Sequence, residues 1–171
     1  MGEDEGRPPI LRLIIANVRP MRALDIGAVV ESLAEAHGAF QEDSAVPAGA
    51  KCELRMTGLY QGSLVLEFSA VFLAAAGVAF QFEECRQMMR NFVSALRGDA
   101  KIMAGEEVGN PSNANRKLIK AGSALVDGGD ALSIRIDIHG DNDDPFELGQ
   151  AAAAAILRKA REQRKPSGAQ P

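Results

Sequence analysis

The chain has 171 residues and a mass of 18.1 kDa, which is the size of one ordinary domain. Its 46% hydrophobic and 25% charged residues are typical of a globular protein and exclude intrinsic disorder as the main state. Nineteen basic and 23 acidic residues leave a formal net charge of -4, and two cysteines are too few for a disulfide scaffold or a four-cysteine zinc site.

The first part of the chain predicts a strand followed by a helix. Residues 1–9 are expected to form a disordered acidic lead-in. Ile10–Asn17 is a nearly continuous apolar run, which is typical of a strand buried on both faces. Apolar residues then recur at helical spacing between Asp25, a suitable N-cap, and Gly38, a suitable stop, and His37 shares their face.

The N-terminal residues carry no recognisable targeting signal. They read Met-Gly-Glu-Asp-Glu-Gly-Arg, whereas a secretory signal begins with basic residues followed by an apolar stretch. We therefore expect a cytoplasmic protein with both thiols reduced. The abundance of alanine, glycine and arginine indicates a bacterial genome rich in G and C.

The next segment predicts a β-hairpin. Lys51–Tyr60 alternates between polar and apolar residues, as expected for a half-buried strand. Gln61-Gly62 is expected to form a two-residue turn, and Ser63–Val71 returns as the second strand with its apolar side chains toward the core.

From Leu73 to Arg97 the sequence predicts one long helix. Its apolar stripe, with steps of three and four residues, consists of Val78, Phe82, Cys85, Met89, Phe92 and Leu96. The first turns, Leu73–Phe80, are apolar all round and are expected to be buried. Gly98 is expected to end this helix, and a third helix is predicted over Asn113–Val126.

The last part predicts a strand and a helix. Ala131–Ile138 alternates regularly between apolar and polar residues, which indicates a strand. The final helix is predicted to begin with Asp144 as N-cap, a proline at its first position and a glutamate at its third. It is expected to fray after Lys165, which leaves residues 166–171 as a disordered tail.

The predicted element order is β-α-β-β-α-α-β-α within a single α+β domain over residues 10–165. Without its third and last helices this order is the βαββαβ split unit of the ferredoxin-like arrangement. We therefore predict a four-stranded antiparallel sheet with helices on one face and an additional C-terminal helix.

One short segment resembles a metal-binding motif. Asp137-Ile138-His139-Gly140-Asp141 is similar to the first motif of calcineurin-like metallophosphoesterases, in which a strand ends in Asp-x-His so that both ligands reach two metals. That family needs further ligands on later strands, and no histidine follows His139. The following acidic residues also fail the EF-hand spacing, because Pro145 and Phe146 interrupt it. We interpret the segment as a strand that leads into a polar turn, and we predict no metal.

The sequence reveals no catalytic machinery. Neither a Gly-x-Ser-x-Gly elbow nor a phosphate-binding glycine loop is present. Cys52 and Cys85 lie on predicted core-facing stripes, and the sequence shows no histidine or asparagine partner for either thiol. We therefore predict no catalytic residue and no cofactor, and we favour a non-catalytic protein.

A second resemblance concerns the RNA-recognition motif, whose fold is also βαββαβ. Gln61–Phe68 is similar to that family's third-strand octapeptide at its glycine and its last aromatic residue, and Leu13–Val18 looks like the first-strand hexapeptide. The positions that stack on bases carry Ile14, Ser63 and Val65 instead of aromatic rings. Because stacking supplies about 1–3 kcal/mol per base, the resemblance implies the shape without the RNA-binding face.

Nucleic-acid binding through basic helices is therefore kept as an alternative function. The candidate phosphate contacts are Arg116, Lys117, Lys120, Arg158, Lys159 and Arg161. Cations near a helix C-terminus also complement the helix dipole, so these residues have a purely structural interpretation as well. A second alternative is membrane association through residues 64–80, a largely apolar segment at the lower length limit for spanning a bilayer.

The leading interpretation is a non-catalytic protein-interaction or self-assembly module. The hairpin Leu59–Leu64, followed by an alanine-rich apolar segment, resembles uncharacterised bacterial and mobile-element domains with a Tyr-x-Gly-Ser turn, for which no activity is known. We expect a homo-oligomer or a protein partner, bound through helix surfaces of small residues that allow close approach. The interface candidates are Leu73, Ala76, Phe80, Ala151, Ala153 and Ala154. Glutamate at position 76 or 153 is then expected to give monomers.

Overall fold

A computed structural model describes residues 8–44, 50–60, 63–74 and 82–164. The elements of these residues, in chain order, are β1 (Ile10–Asn17), α1 (Ala23–Asp43), β2 (Ala50–Tyr60), β3 (Leu64–Ala74), α2 (Phe82–Ala104), α3 (Asn113–Asp127), β4 (Ala131–Ile138), β5 (Phe146–Gly149) and α4 (Gln150–Arg164). The predicted lead-in up to residue 7 and the predicted tail lie outside the described residues.

The strands form one antiparallel sheet in the order β2-β3-β1-β4-β5. Leu13 of β1 lies opposite Leu66 of β3 on one side and Ile136 of β4 on the other. The predicted α+β class with an antiparallel sheet is confirmed. The prediction of four strands is incomplete, because β5 adds a fifth at the outer side of β4.

The core lies between one face of the sheet and the helices. Along β1, Leu11, Leu13 and Ile15 are fully buried, whereas Arg12 and Ile14 between them are only half-buried. The prediction that β1 is buried on both faces is therefore wrong: the helices cover one face, and the opposite face, called the open face here, is partly exposed. Alternate burial is the pattern of an antiparallel sheet with a single covered face.

The predicted long helix from Leu73 is wrong at both ends. Strand β3 continues to Ala74, and Leu73 lies in register opposite Lys51 of β2, because an uninterrupted apolar run suits a buried strand as well as a helix. Helix α2 begins at Phe82 and passes through the expected stop at Gly98. It ends where Gly105 adopts a φ of 87°, the left-handed conformation that favours glycine.

The predicted start of the last helix is also wrong. Phe146 and Leu148 alternate with exposed neighbours and pair with Ile136 and Ile134, so this segment is strand β5. Helix α4 begins only at Gln150. A four-residue strand is too short to show its period against a strong helix-start signal, and only the neighbouring β4 reveals it. By contrast, β4 and α3 lie where the sequence predicts them, α3 being one residue longer.

Helix α1 runs past the predicted stop at Gly38 to Asp43. Its buried face includes His37, as the helical spacing predicts. The predicted N-cap Asp25 instead lies in the first turn and pairs with Arg22 at 2.7 Å. The extra turn carries Gln41, whose side chain reaches the start of β2.

Candidate functional site

Exposed apolar side chains concentrate at the end of β2. The large hydrophobic residues that are exposed in the described parts of the chain are Val18, Leu24, Met56, Leu59, Tyr60, Val108 and Leu132. Met56, Leu59 and Tyr60 lie within five consecutive residues of β2 and are 58%, 62% and 53% exposed. We call these three residues the β2 edge patch, because β2 is the outermost strand and pairs with β3 alone among the described strands.

Among the described residues, Gln41 of α1 covers the start of this edge. The Gln41 side chain donates from Nε2 to the Cys52 carbonyl at 2.6 Å, and its Oε1 accepts from the Cys52 amide at 2.7 Å. Helix α1 thereby supplies the hydrogen bonds that a further strand would make at Cys52. An outer strand with unpaired backbone groups is a template for another chain, and such covering is a common protection. The protection stops before the β2 edge patch.

The end of β2 is shaped by an irregularity. The pairing with β3 shifts between Met56 and Gly58, which is the signature of a β-bulge. A Cβ at Gly58 would lie 2.9 Å from a ring carbon of Tyr60, so the glycine allows the Tyr60 ring to lie against the backbone. The Tyr60 hydroxyl donates to a Glu67 carboxylate oxygen at 3.3 Å, which further orients the ring.

The structure places the residues predicted as an interface in different surroundings. Ala153 is fully buried in the core, whereas Ala151 and Ala154 are exposed. Leu73 occupies a strand position in β3 rather than a helix. Ala76 and Phe80 lie outside the described residues. Because Ala153 is buried, glutamate at position 153 is expected to disrupt the core, so this substitution cannot by itself test an interface.

Three of the predicted phosphate contacts meet in a small cleft between α3 and α4. Its volume is about 140 Å³, and Arg116 and Lys120 of α3 line it together with Lys159 of α4. The other lining residues are Ile102, Met103, Gly109, Asn110, Pro111, Ile156, Ala160 and Gln163. No carboxylate belongs to the described lining, so the cleft carries uncompensated positive charge. We call it the basic cleft.

The cations of the basic cleft differ in their attachment. The Lys159 ammonium donates to the Ile102 carbonyl at 2.9 Å, which ties α4 to the end of α2. Arg116 donates to Asn110 and Pro111 only at 3.4 Å. Lys120 has neither a salt bridge nor a hydrogen bond among the described residues, which leaves its ammonium free for an anion.

The remaining predicted phosphate contacts lie elsewhere. Lys117 pairs with Glu35 of α1 at 2.9 Å, outside the basic cleft. Arg161 is 3.9 Å from Asp127 at the end of α3, and Arg158 is exposed on α4. The structure therefore reduces six candidates to one cluster of three.

Arginine side chains pair with both aspartates that belong to the segment resembling a metallophosphoesterase motif. Asp137 accepts two hydrogen bonds from Arg12, at 2.7 and 3.0 Å, and one from Arg135 at 2.9 Å. Asp141 accepts two from Arg90 of α2, at 2.7 and 3.2 Å. In the described part of the chain, no group of three His, Cys, Asp or Glu side chains could hold a metal ion.

The Asp141–Arg90 pair predicts a pH-dependent contribution to stability. The hydrogen bond from Arg90, assisted by its charge, holds the pKa of Asp141 below its usual value. A depressed carboxyl pKa stabilises the fold above the unfolded-state pKa, and this contribution is lost as the pH falls through the folded-state pKa. We expect Asp141→Asn to lower the free energy of unfolding by about 1 kcal/mol at pH 7, and wild type and variant to converge in acid. Urea titrations at pH 7 and below the folded-state pKa check this, and a gap that persists at the lower pH would contradict it.

The centre of the open face carries charged and aliphatic side chains instead of the aromatic rings that stack on bases. Arg12 lies opposite Glu67 on β3 and Asp137 on β4. In the next row, Ile14 lies opposite Val65. These central positions present a charged and aliphatic surface, which agrees with the missing stacking residues noted in the sequence.

The structure reveals a buried cluster that sequence reasoning missed. The sulfur atoms of Cys52 on β2 and Cys85 on α2 are 3.8 Å apart, and both residues are buried as predicted. The hydrogen bond from Cys85 lowers the pKa of Cys52, and His37 beside the pair lowers it further, a proximity that the sequence did not show. The shared helical face of His37 was visible in the sequence, but its meeting with Cys52 depends on how α1 packs on β2.

The described part of the chain holds no helix both long and apolar enough to span a bilayer. Within the segment predicted as a membrane contact, residues 64–74 form strand β3 and residues 75–80 lie outside the described residues. Comparison of the chain with protein-family models, with curated proteins and with solved structures found no match in any of the three.

Proposed function

We propose that the chain is a non-catalytic self-assembly module whose protomers associate through the β2 edge patch. The observation that carries the proposal is the grouping of Met56, Leu59 and Tyr60, each more than half exposed, at the end of an outermost strand, beyond the part that Gln41 covers. Exposed apolar residues at the end of an outermost strand are typical of an association surface. The proposal keeps the predicted class of function and moves the interface from the helices to the sheet.

A second copy of the chain is the occupant that we assign to this surface. Two identical strands related by a twofold axis pair antiparallel, and each offers the other the same row of backbone donors and acceptors. The same apolar side chains then meet on both sides of the axis. Gln41 restricts the pairing to the end of β2, because it already occupies the Cys52 amide and carbonyl.

The size of the patch predicts a weak dimer. Three exposed side chains from each protomer bury roughly 600 Å², well below the roughly 1,200–2,000 Å² of stable specific interfaces. We therefore expect dimerisation at about micromolar or higher concentrations instead of a permanent complex.

Leu59→Lys tests the interface. We expect this substitution to raise the dissociation constant of the dimer at least about tenfold, because it places a charge in the middle of the buried patch. Light scattering during size exclusion, repeated over a range of protein concentrations, measures the association. Leu132→Lys is the matched control, since Leu132 is 55% exposed on β4 and distant from β2 in the sheet order. A wild-type chain that stays monomeric at all concentrations, or equal effects of the two substitutions, would overturn the proposal.

We interpret β1 to β4 with α1 and α2 as the ferredoxin-like split unit to which α3, β5 and α4 are added. In this interpretation β2 is the outer strand of that unit, which leaves its free edge available. The proposal also includes the bacterial, cytoplasmic setting expected from the composition.

The basic cleft supports a second candidate function, which is binding of nucleic-acid phosphates. This candidate function rests on the convergence of three cations, Arg116, Lys120 and Lys159, on one cleft. The described lining of that cleft contains no carboxylate. Phosphate contacts release counterions, so binding through this cleft is expected to weaken steeply with salt. The overall charge of -4 limits such binding to the cleft itself.

Lys120→Gln tests the second candidate. With a fluorescent single-stranded oligonucleotide at low salt, we expect about tenfold weaker binding and a salt slope that is less steep by about one unit. Arg158→Gln is the control, because Arg158 is an exposed cation on α4 outside the cleft. Because the chain has no Trp and one Tyr, copurified nucleic acid would also dominate the ratio of absorbance at 260 and 280 nm. Equal losses in the two variants would refute a role for the cleft.

A further inference from the structure

The two cysteines of the chain are placed for reaction with each other. Cys52 lies near the start of β2 and Cys85 in the first turn of α2, 33 residues later in the chain. Their sulfur atoms are 3.8 Å apart in a buried contact. A disulfide needs a separation of about 2.05 Å, so small side-chain rotations and a slight approach of the two elements would close it.

The surroundings distinguish the two thiols. The hydrogen bond from Cys85, opposed by burial and assisted by His37, lowers the pKa of Cys52. The pKa of Cys85 is raised by the same hydrogen bond and by burial. Since the thiolate is the reactive form, Cys52 is the nucleophile of the pair and Cys85 the partner that resolves the first product.

Gln41 holds the histidine and the nucleophile in place. Its Nε2 donates both to the Cys52 carbonyl, at 2.6 Å, and to Nδ1 of His37, at 2.9 Å. Because Nδ1 accepts this bond, the ring proton of neutral His37 lies on Nε2. That nitrogen is buried and has no hydrogen-bond partner among the described residues. The ring of His37 is fixed from the other side by Phe92, edge to face at 5.4 Å.

We infer that Cys52 and Cys85 form a redox modification site that hydrogen peroxide converts from a dithiol to an intramolecular disulfide. The Cys52 thiolate attacks one peroxide oxygen, the O–O bond breaks, and the departing hydroxide takes up a proton to become water. The sulfur of Cys85 then attacks the resulting sulfenic acid, the S–O bond breaks, and the second hydroxide leaves with the Cys85 proton as water. Two thiols are oxidised and one peroxide is reduced to two waters.

Local opening of the fold would give a small oxidant a route to the buried pair. Cys52 belongs to an outermost strand, and Cys85 to the first turn of a helix. Strand edges and helix ends open locally at a lower free energy than the centre of a core. The disulfide would then link β2 to α2 and restrict that opening.

Intact-mass measurement of the full chain tests the inference. After treatment of the folded protein with hydrogen peroxide, we expect the loss of two hydrogens, a linked Cys52–Cys85 peptide in a nonreducing digest, and reversal by dithiothreitol. The chain has two cysteines, so the product is unambiguous. We expect the melting temperature to rise on oxidation, because the cross-link restricts the unfolded chain. A folded chain whose mass stays unchanged, while the urea-unfolded chain is oxidised, would overturn the inference.

Single-cysteine variants test the order of the two steps. In Cys85→Ala, peroxide is expected to leave a Cys52 sulfenic acid that the reagent dimedone traps. In Cys52→Ala, Cys85 is expected to react more slowly than Cys52 does in Cys85→Ala, because burial raises the pKa of both remaining thiols and His37 lowers only that of Cys52. Equal labelling of the two variants would contradict the assigned nucleophile, and a disulfide between two chains instead of within one would contradict the pairing. The wild-type mass measurement decides the main inference even if a variant fails to fold.

Discussion

Replacing Ala153 by glutamate is expected to destabilise the fold strongly. Ala153 is fully buried on α4, which packs against α3, α2 and β5. A carboxylate at this buried position loses its hydration, and we expect a loss of about 4 kcal/mol in the free energy of unfolding. Since a domain of this size is stable by about 5–15 kcal/mol, this loss removes a large part of the stability and lowers the melting temperature. Far-ultraviolet circular dichroism during thermal and urea denaturation measures this loss.

The neighbouring residue supplies the control for this prediction. Ala154 is exposed on the same helix, so Ala154→Glu is expected to change the free energy of unfolding by no more than about 0.5 kcal/mol. The same variant retains the wild-type association if the interface lies on β2. Equal free energies of unfolding of the two variants would show that α4 does not pack as described. If Ala154→Glu is monomeric while the wild type dimerises, the interface lies on α4 instead of β2.

Truncation of Phe92 to alanine is the second substitution with a large expected effect. Phe92 is fully buried in α2, and its ring lies 5.4 Å from His37 and 5.6 Å from Phe40, both on α1. Loss of the ring removes buried area and leaves a cavity between the two helices. We expect the free energy of unfolding to fall by about 3–5 kcal/mol.

Chemical denaturation checks the Phe92→Ala prediction, with Phe92→Leu as the matched control. Leucine keeps most of the volume and is expected to cost less than about 1.5 kcal/mol. The alanine variant also loosens His37, so its Cys52 thiol is expected to titrate closer to the ordinary pKa. A small loss for alanine would mean that α1 and α2 do not share this contact.

Strong local patterns predicted the elements that the structure contains. The alternation of apolar and polar residues over Ala131–Ile138 predicted β4, and the sequence of Asn113–Val126 predicted α3. The stripe through Cys85, Met89, Phe92 and Leu96 is buried on α2, as its spacing predicted. In each case the period extends over at least eight residues, so the side chains themselves select the structure before any tertiary contact forms.

The wrong element boundaries share one cause. The apolar run that begins at Leu73 has no period, so the sequence could not show that its first residues extend β3 along β2. Asp144 and Pro145 carry a strong helix-start signal, yet Phe146 and Leu148 gain more by pairing with β4. Non-local strand pairing overrides local propensity where the segment is short.

Composition, charge and periodicity alone determined that this is a globular α+β protein with an antiparallel sheet, because these properties depend on residues near one another in the chain. Only the tertiary structure decided which residues meet. It brought His37 to Cys52 and Cys85, gathered Lys120 and Lys159 in the basic cleft, and buried Ala153 beside two exposed alanines. Such meetings depend on how helices and strands distant in sequence pack together, and no local pattern encodes that packing.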